Sequence, residues 1–212
     1  MDLALPAPPL TLPAGLILHR SAVELARQEH LVRALAEVLT AAPPMHTRVK
    51  GGGMTSAAMT NCGQAGWWSD AKGYRYERTN PSTGKSWPAM PAEFLRIAEE
   101  VVADSPWPDF TPDACLVNHY AAGAKMGLHQ DKDEADFSQP IVTVSLGDSA
   151  DWLIGGAKRT DKAVAFRVNS GDVLLMGGSA RMLFHGVRKI HPGTSPLAGI
   201  AGRYSLTFRR AL

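Results

Sequence analysis

The sequence predicts an α+β fold, with helices packed on the outside of antiparallel sheets closed as a sandwich or jelly roll. Three observations carry this. Two helical patterns fall in the first half of the chain, and from about residue 112 seven short strand-like runs follow with no long helix between them. The composition, 45% apolar and 20% charged over 212 residues, suits one well-cored domain.

Taken in order, residues 1–15 form a proline-rich tail. With no basic leader and several prolines, the start predicts neither a signal peptide nor a membrane span. Ser21 and Glu24 are spaced as a capping box. Helical periodicity then runs through Val23, Leu31, Leu35 and Val38 until Pro43-Pro44 stops it. A second helix is expected from Pro91 through "AEFLRIAEEVVAD", with Phe94, Ile97 and Val101 on one face. Between the helices, residues 45–88 are rich in glycine and aromatics. They read as short strands and loops lying over something rather than as core. The later strands are expected at 114–120, 141–147, 151–154, 163–168, 172–176, 182–187 and 203–209.

A net charge of +2 says little, but its distribution says more. Residues 45–88 carry six Lys/Arg against two acids, residues 89–180 seven against fourteen, and the last 32 residues six against none. That pattern suits a basic face beside an acidic pocket rim. Cys62 and Cys115 stand alone without metal-site spacing, which predicts free thiols in a reducing cytoplasm.

The chemistry concentrates in "GAKMGLHQDKDEADF". His129 and Asp131 are two apart, so an extended backbone points both to one side, and His185 in "RMLFHGVR" is the best third ligand. Two histidines and a carboxylate leave one face of an octahedron open, the geometry of non-haem Fe(II) oxygenases. A calcium loop starting at Asp131 fails, because its sixth position is Asp136 instead of glycine and its twelfth is Val142 instead of glutamate. In "RYSLTFR", Arg203 and Arg209 share one strand face and could hold a small dianion between them. The alternative is an ordinary basic outer face. Asn118 and Tyr120 in "LVNHY" likewise share a face.

Together, "AMTNCG", "WPAMP", "PDACLVNHY", "GAKMGLHQDKDE", "HG" and "RYSLTFR" resemble, in that order, the AlkB family of 2-oxoglutarate- and Fe(II)-dependent nucleic-acid dealkylases. The resemblance covers nearly the whole chain after about residue 15 and lies close to the founding bacterial member. It implies a double-stranded β-helix, or jelly-roll, core spanning 16–212, with 45–88 as a β/loop substrate lid. It further implies that His129, Asp131 and His185 bind Fe(II), with 2-oxoglutarate and O2 as co-substrates. Arg203 with Tyr120 would hold the distal carboxylate, and Arg209, Asn118 and Ser205 would lie near the co-substrate. Trp67 and Tyr74 match the lid aromatics that hold the alkylated base, although Trp68 could equally be the stacker. Met59, Asp133, Lys132 and Arg159 complete the substrate-binding set.

The implied reaction is oxidative removal of N-alkyl groups from bases such as 1-methyladenine and 3-methylcytosine. The expected partner is single- or double-stranded DNA, with RNA an alternative, and the expected enzyme is a cytoplasmic monomer with no membrane partner. Three positions depart from the family pattern. Ser205 stands in place of asparagine and is expected to weaken co-substrate binding. Met176 replaces tryptophan and Gly127 replaces serine, both expected to alter pocket packing.

Overall fold

The computed structural model describes residues 11–49 and 52–212; residues 1–10 of the tail and Gly51 of the glycine run lie outside the described residues. In chain order, β1 is Leu16–His19, α1 Leu25–Ala41, β2 Ala58–Gly63, β3 Gly66–Asp70, β4 Gly73–Glu77 and α2 Ala92–Glu100. There follow β5 Ala114–Tyr120, β6 Met126–His129, β7 Ile141–Gly147 and β8 Ser149–Ile154. The last strands are β9 Val164–Val168, β10 Val173–Met176, β11 His185–His191 and β12 Arg203–Arg209. All pairings are antiparallel, in a six-stranded sheet β1-β10-β7-β12-β5-β2, a four-stranded sheet β6-β11-β8-β9 and a separate hairpin β3-β4. This is the jelly roll that the sequence predicts.

Strand alternation builds two cores from the large sheet. Val117, Val142, Val144, Leu146, Leu175, Leu206 and Phe208 face outward and pack under Leu31, Leu35, Val38, Phe94 and Ile97 of the helices. The opposite face contributes Tyr120, Ile141, Leu174 and Met176, which meet Trp152, Ile154, Phe166 and Val187 of the small sheet. Toward β12 the interior turns polar, with Arg203, Ser205, Thr207 and Arg209 all buried. The basic outer face is therefore excluded for β12: both arginines point inward.

Four expectations differ from the structure. No capping box forms: α1 begins at Leu25, and Ser21 sits at φ 49° with its N–H donating to Asp172 Oδ1 at 2.9 Å. The carboxylate of the β9–β10 turn has captured the chain before the helix starts, and Val23 donates its N–H to Gly171 there. The second helix ends at Glu100, so Val101 and Val102 occupy a turn. Residues 45–88 do include core, because β2 is an edge strand of the large sheet and Cys62 is fully buried in the helix-side cluster. Finally, β11 starts at His185 rather than 182 and extends to His191, since a 3-10 turn over Gly178–Ala180 carries through Leu183.

Candidate active site

In the small sheet, His129 of β6 lies directly opposite His185 of β11. Directly opposed residues of an antiparallel pair project from the same face, so both imidazoles enter the space between the sheets. The register slips just beyond this pair, where Gly127 and Leu128 together face the single residue Gly186. A Cβ on Gly186 would stand 2.5 Å from the Met126 carbonyl oxygen, so only glycine lets the two strands approach here.

Asp131 follows β6 and completes the group. Its Oδ1 is 3.7 Å from His129 Nε2 and its Oδ2 is 3.5 Å from His185 Nε2, and one donor atom from each residue falls within 4.8 Å of the others. Each histidine is oriented by a backbone carbonyl two residues earlier. Nδ1 of His129 donates to Gly127 O at 2.9 Å, and Nδ1 of His185 donates to Leu183 O at 3.1 Å. A carbonyl can only accept, so the proton sits on Nδ1 and the Nε2 lone pair is left to a metal. Trp152 stacks on the His185 ring at 5.4 Å and fixes its plane.

The electrostatics favour ligand-ready protonation states. Partial burial, with the His185 ring beside it, lowers the His129 pKa to about 4, which keeps it neutral. For Asp131, burial would raise the pKa, but Arg209 and the two histidines outweigh it and hold the carboxyl well below the usual range. Arg209 Nη2 stands 2.9 Å from Asp131 Oδ2, and both side chains are almost fully buried.

Below this group lies a cavity of about 730 Å³, counting its open mouth. Its walls include Asn118, Tyr120, Ser205 and Arg203 from the large sheet and Trp67 from the hairpin. Arg203 is only 1% exposed. Its guanidinium carbon stands 5.3 Å from the Tyr120 ring centre, and Nη2 donates to Ser145 Oγ at 3.0 Å. Nε and Nη1 have no partner, and neither does the buried Asn118 Oδ1. Buried donors of a cation without acceptors are rare in native proteins and point to an anion that the pocket receives.

Comparison with known proteins agrees with this geometry. The family model described as the 2OG-Fe(II) oxygenase superfamily matches residues 17–209. The chain is 44% identical over 197 residues to "Alpha-ketoglutarate-dependent dioxygenase AlkB" of Escherichia coli, covering 93% of this chain and 90% of the relative. It is 45% identical over 205 residues to the "Alpha-ketoglutarate-dependent dioxygenase AlkB homolog" of Caulobacter vibrioides, covering 97% and 91%. The chain belongs to the AlkB family. The solved structure of OsALKBH1 superposes with a TM-score of 0.75 at 31% identity, covering 94% of this chain and all of that one. As an AlkB-family chain it is an Fe(II)- and 2-oxoglutarate-dependent dioxygenase that also uses O2.

The residues present fit both groups. Two imidazoles whose Nδ1 atoms are tied to backbone carbonyls and one carboxylate suit Fe(II) with positions left open. The unpartnered Nε and Nη1 of Arg203 suit the far carboxylate of 2-oxoglutarate. The two arginines enter the same cavity but in different surroundings. Arg209 lines the cavity and its Nε lacks a hydrogen-bond partner, but it stands 2.9 Å from Asp131 and 3.5 Å from Glu134, so Arg203 is the one of the two with no carboxylate beside it.

Of the expected AlkB-type substrate residues, Met59 and Trp67 line the cavity. Asp133 lies beside it, accepting from Trp67 Nε1 at 2.8 Å. Tyr74 stacks on Trp67 at 5.4 Å but is 41% exposed. Trp68 points to the other side of the hairpin and donates to Asp70, so Trp67 is the pocket aromatic of the pair. Lys132 and Arg159 are exposed outside the cavity lining, and Arg159 reaches the Leu128 carbonyl and packs over Phe184.

The departures from the family pattern resolve differently. Ser205 keeps a hydroxyl in the cavity, 3.4 Å from Asn118 Nδ2, and Met176 lines the wall. A side chain on Gly127 would meet nothing within 4 Å, so its absence leaves pocket packing unchanged. Sequence reading missed Trp152, Ser145, Tyr76, Glu134 and Arg181. Only Glu134 had a visible signal, as the third acid of the charged run.

Proposed function

We propose that His129, Asp131 and His185 hold the iron, that Arg203 anchors 2-oxoglutarate, and that residues 45–88 form a lid admitting a flipped, N-alkylated base. The observation that carries this reading is the triad, with Asp131 and His185 buried, beside a buried, unsatisfied arginine in one cavity under an aromatic hairpin. When bound, iron with O2 and 2-oxoglutarate supplies the oxidising chemistry, and the N-alkyl group leaves as an aldehyde while succinate and CO2 are released. Oxidative dealkylation of nucleic acid, DNA above all, is what close membership of the AlkB family supports.

The protein's own residues bind, orient and exclude water. A base within a duplex cannot reach the cavity, so it must leave the stack and find another π-surface. Trp67, backed by Tyr74, supplies that surface at the cavity wall. Asp133 is held beside it by Trp67 Nε1. Methylation at N1 of adenine or N3 of cytosine makes the base cationic, and a neighbouring carboxylate favours that charge. Lys132, Arg159 and the basic 45–88 segment would face phosphates. Among the described residues no helix is long and apolar enough to cross a membrane. The two free, buried cysteines suit the cytoplasm.

Asp133→Ala is expected to lower kcat/KM for 1-methyladenine and 3-methylcytosine by about tenfold, the scale of one charge-assisted contact. The loss on a neutral etheno adduct should be severalfold smaller. Parallel kinetics on the two lesion classes check this; equal losses would remove Asp133 from charge recognition.

A further inference from the structure

The charged run that supplies Asp131 and Asp133 also supplies Glu134, and Glu134 closes a ring of contacts that the reaction as described does not use. The Tyr76 hydroxyl donates to Glu134 Oε1 at 2.7 Å. Glu134 Oε2 accepts from Arg181 Nη2 at 2.9 Å, and Arg181 Nη1 donates to the Asp131 carbonyl at 2.6 Å. The Asp131 carboxylate accepts from Arg209 Nη2 at 2.9 Å, and Arg209 Nη1 donates back to the Tyr76 oxygen at 3.0 Å. Four of the five members belong to the jelly roll and its loops. Tyr76 alone comes from the β3–β4 hairpin.

The hairpin has a second tie to the same loop, Trp67 to Asp133. That tie uses the groups assigned above to the base, so an incoming substrate must disturb it. Tyr76 does not line the cavity, and its partners are Glu134 and Arg209 rather than the groups assigned to the base. It can hold the hairpin down while a base is present. We propose that Tyr76 is a positioning residue coupling hairpin docking to the loading of the metal site, through Arg209 and Glu134. The inference rests on the reading that His129, Asp131 and His185 hold the metal.

The sign of the coupling follows from charge. Without a cation, Asp131 draws the Arg209 guanidinium strongly and Tyr76 competes for it. With its charge shared with a cation, the Asp131 carboxylate pulls less, and Arg209 shifts its donors toward the Tyr76 oxygen and Glu134. Loading then favours the docked hairpin, and by linkage the docked hairpin favours loading by the same factor. The fold therefore closes the aromatic wall over a filled site in preference to an empty one.

The test is amide hydrogen exchange of residues 66–77 in the full-length protein, with and without Mn(II), alongside Mn(II) binding followed by the aqueous spin signal. In the wild type, Mn(II) is expected to slow hairpin exchange by about tenfold. Tyr76→Phe, which removes one oxygen and keeps the ring, should bind Mn(II) about tenfold more weakly and show less than about twofold slowing at saturation. Wild-type protein that binds Mn(II) with unchanged hairpin exchange overturns the coupling, and this arm needs no variant. So does Tyr76→Phe with full protection. Both outcomes leave the metal site standing. If instead the wild type does not take up Mn(II), or His129→Ala binds it equally well, the metal reading fails and the coupling with it.

Discussion

Replacing Arg203 with methionine is expected to raise the 2-oxoglutarate requirement by about two orders of magnitude and, at the same time, to make the protein harder to unfold. The two effects have opposite signs because they come from one feature. Burial lowers the pKa of the Arg203 guanidinium, and no carboxylate offsets its charge. Two of its N–H groups find no acceptor. Each unsatisfied buried donor costs about 1–3 kcal/mol in the protein without co-substrate, and that cost is relieved when an anion arrives. Methionine keeps an unbranched apolar stem and removes the charge that stands over the Tyr120 ring. The lost bond to Ser145 offsets part of the gain. The net gain should be about 1–2 kcal/mol, which for a chain of this size raises Tm by roughly 2–8 °C. Thermal unfolding and 2-oxoglutarate titrations on one preparation check both halves. A variant that unfolds earlier yet binds 2-oxoglutarate normally would contradict the assignment of Arg203.

Asp131→Ala should behave in the opposite way, losing stability and metal together. Removing the carboxylate strips Arg209 of its shortest ion pair while its guanidinium stays buried. Breaking one side of such a pair costs about 3–5 kcal/mol. Glu134, 3.5 Å away, and the Tyr76 hydroxyl compensate only in part. His129→Ala should also lose the metal but with little change in unfolding, because His129 is a third exposed and its ring is tied by a single bond to Gly127. A double replacement, Asp131→Ala with Arg209→Met, should recover most of the stability and none of the activity. Unfolding midpoints of the three variants, set beside Mn(II) binding, separate the two jobs of Asp131. Equal stability for Asp131→Ala and wild type would mean that Arg209 does not depend on it.

How much of this was legible in the sequence follows from how local each signal is. The strands at 114–120, 141–147 and 203–209 fall where alternation places them, because one face of each must meet the helices and every second residue is apolar. The triad was legible since two ligands lie within three residues and the third sits in a strand-like run. Its precise arrangement was not, because the β6 bulge opposite Gly186 appears only when two distant strands pair. Capping failed at Ser21 for a similar reason: the competing acceptor, Asp172, is 151 residues away. The Tyr76 ring was invisible altogether. Tyr76 and Arg209 stand 133 positions apart and Glu134 and Arg181 stand 47 apart, so no window of sequence contains it. Within the charged run, spacing alone does not say which acids are buried. The structure divides its acids: Asp131 and Glu134 are buried, Asp133 binds Trp67, and Asp136 accepts from the Ser138 backbone on the surface.

His129, Asp131, His185 and Arg203 together make an oxidative nucleic-acid dealkylase. The most direct test of this is to incubate the protein in air with Fe(II), 2-oxoglutarate and ascorbate. The substrate is a single-stranded oligonucleotide carrying one 1-methyladenine, and His129→Ala is run alongside. Mass spectrometry is expected to show loss of the methyl group with wild-type protein, one succinate formed for each methyl removed, and neither with His129→Ala. Folded, iron-loaded wild-type protein that leaves the methyl group in place and forms no succinate would overturn that assignment.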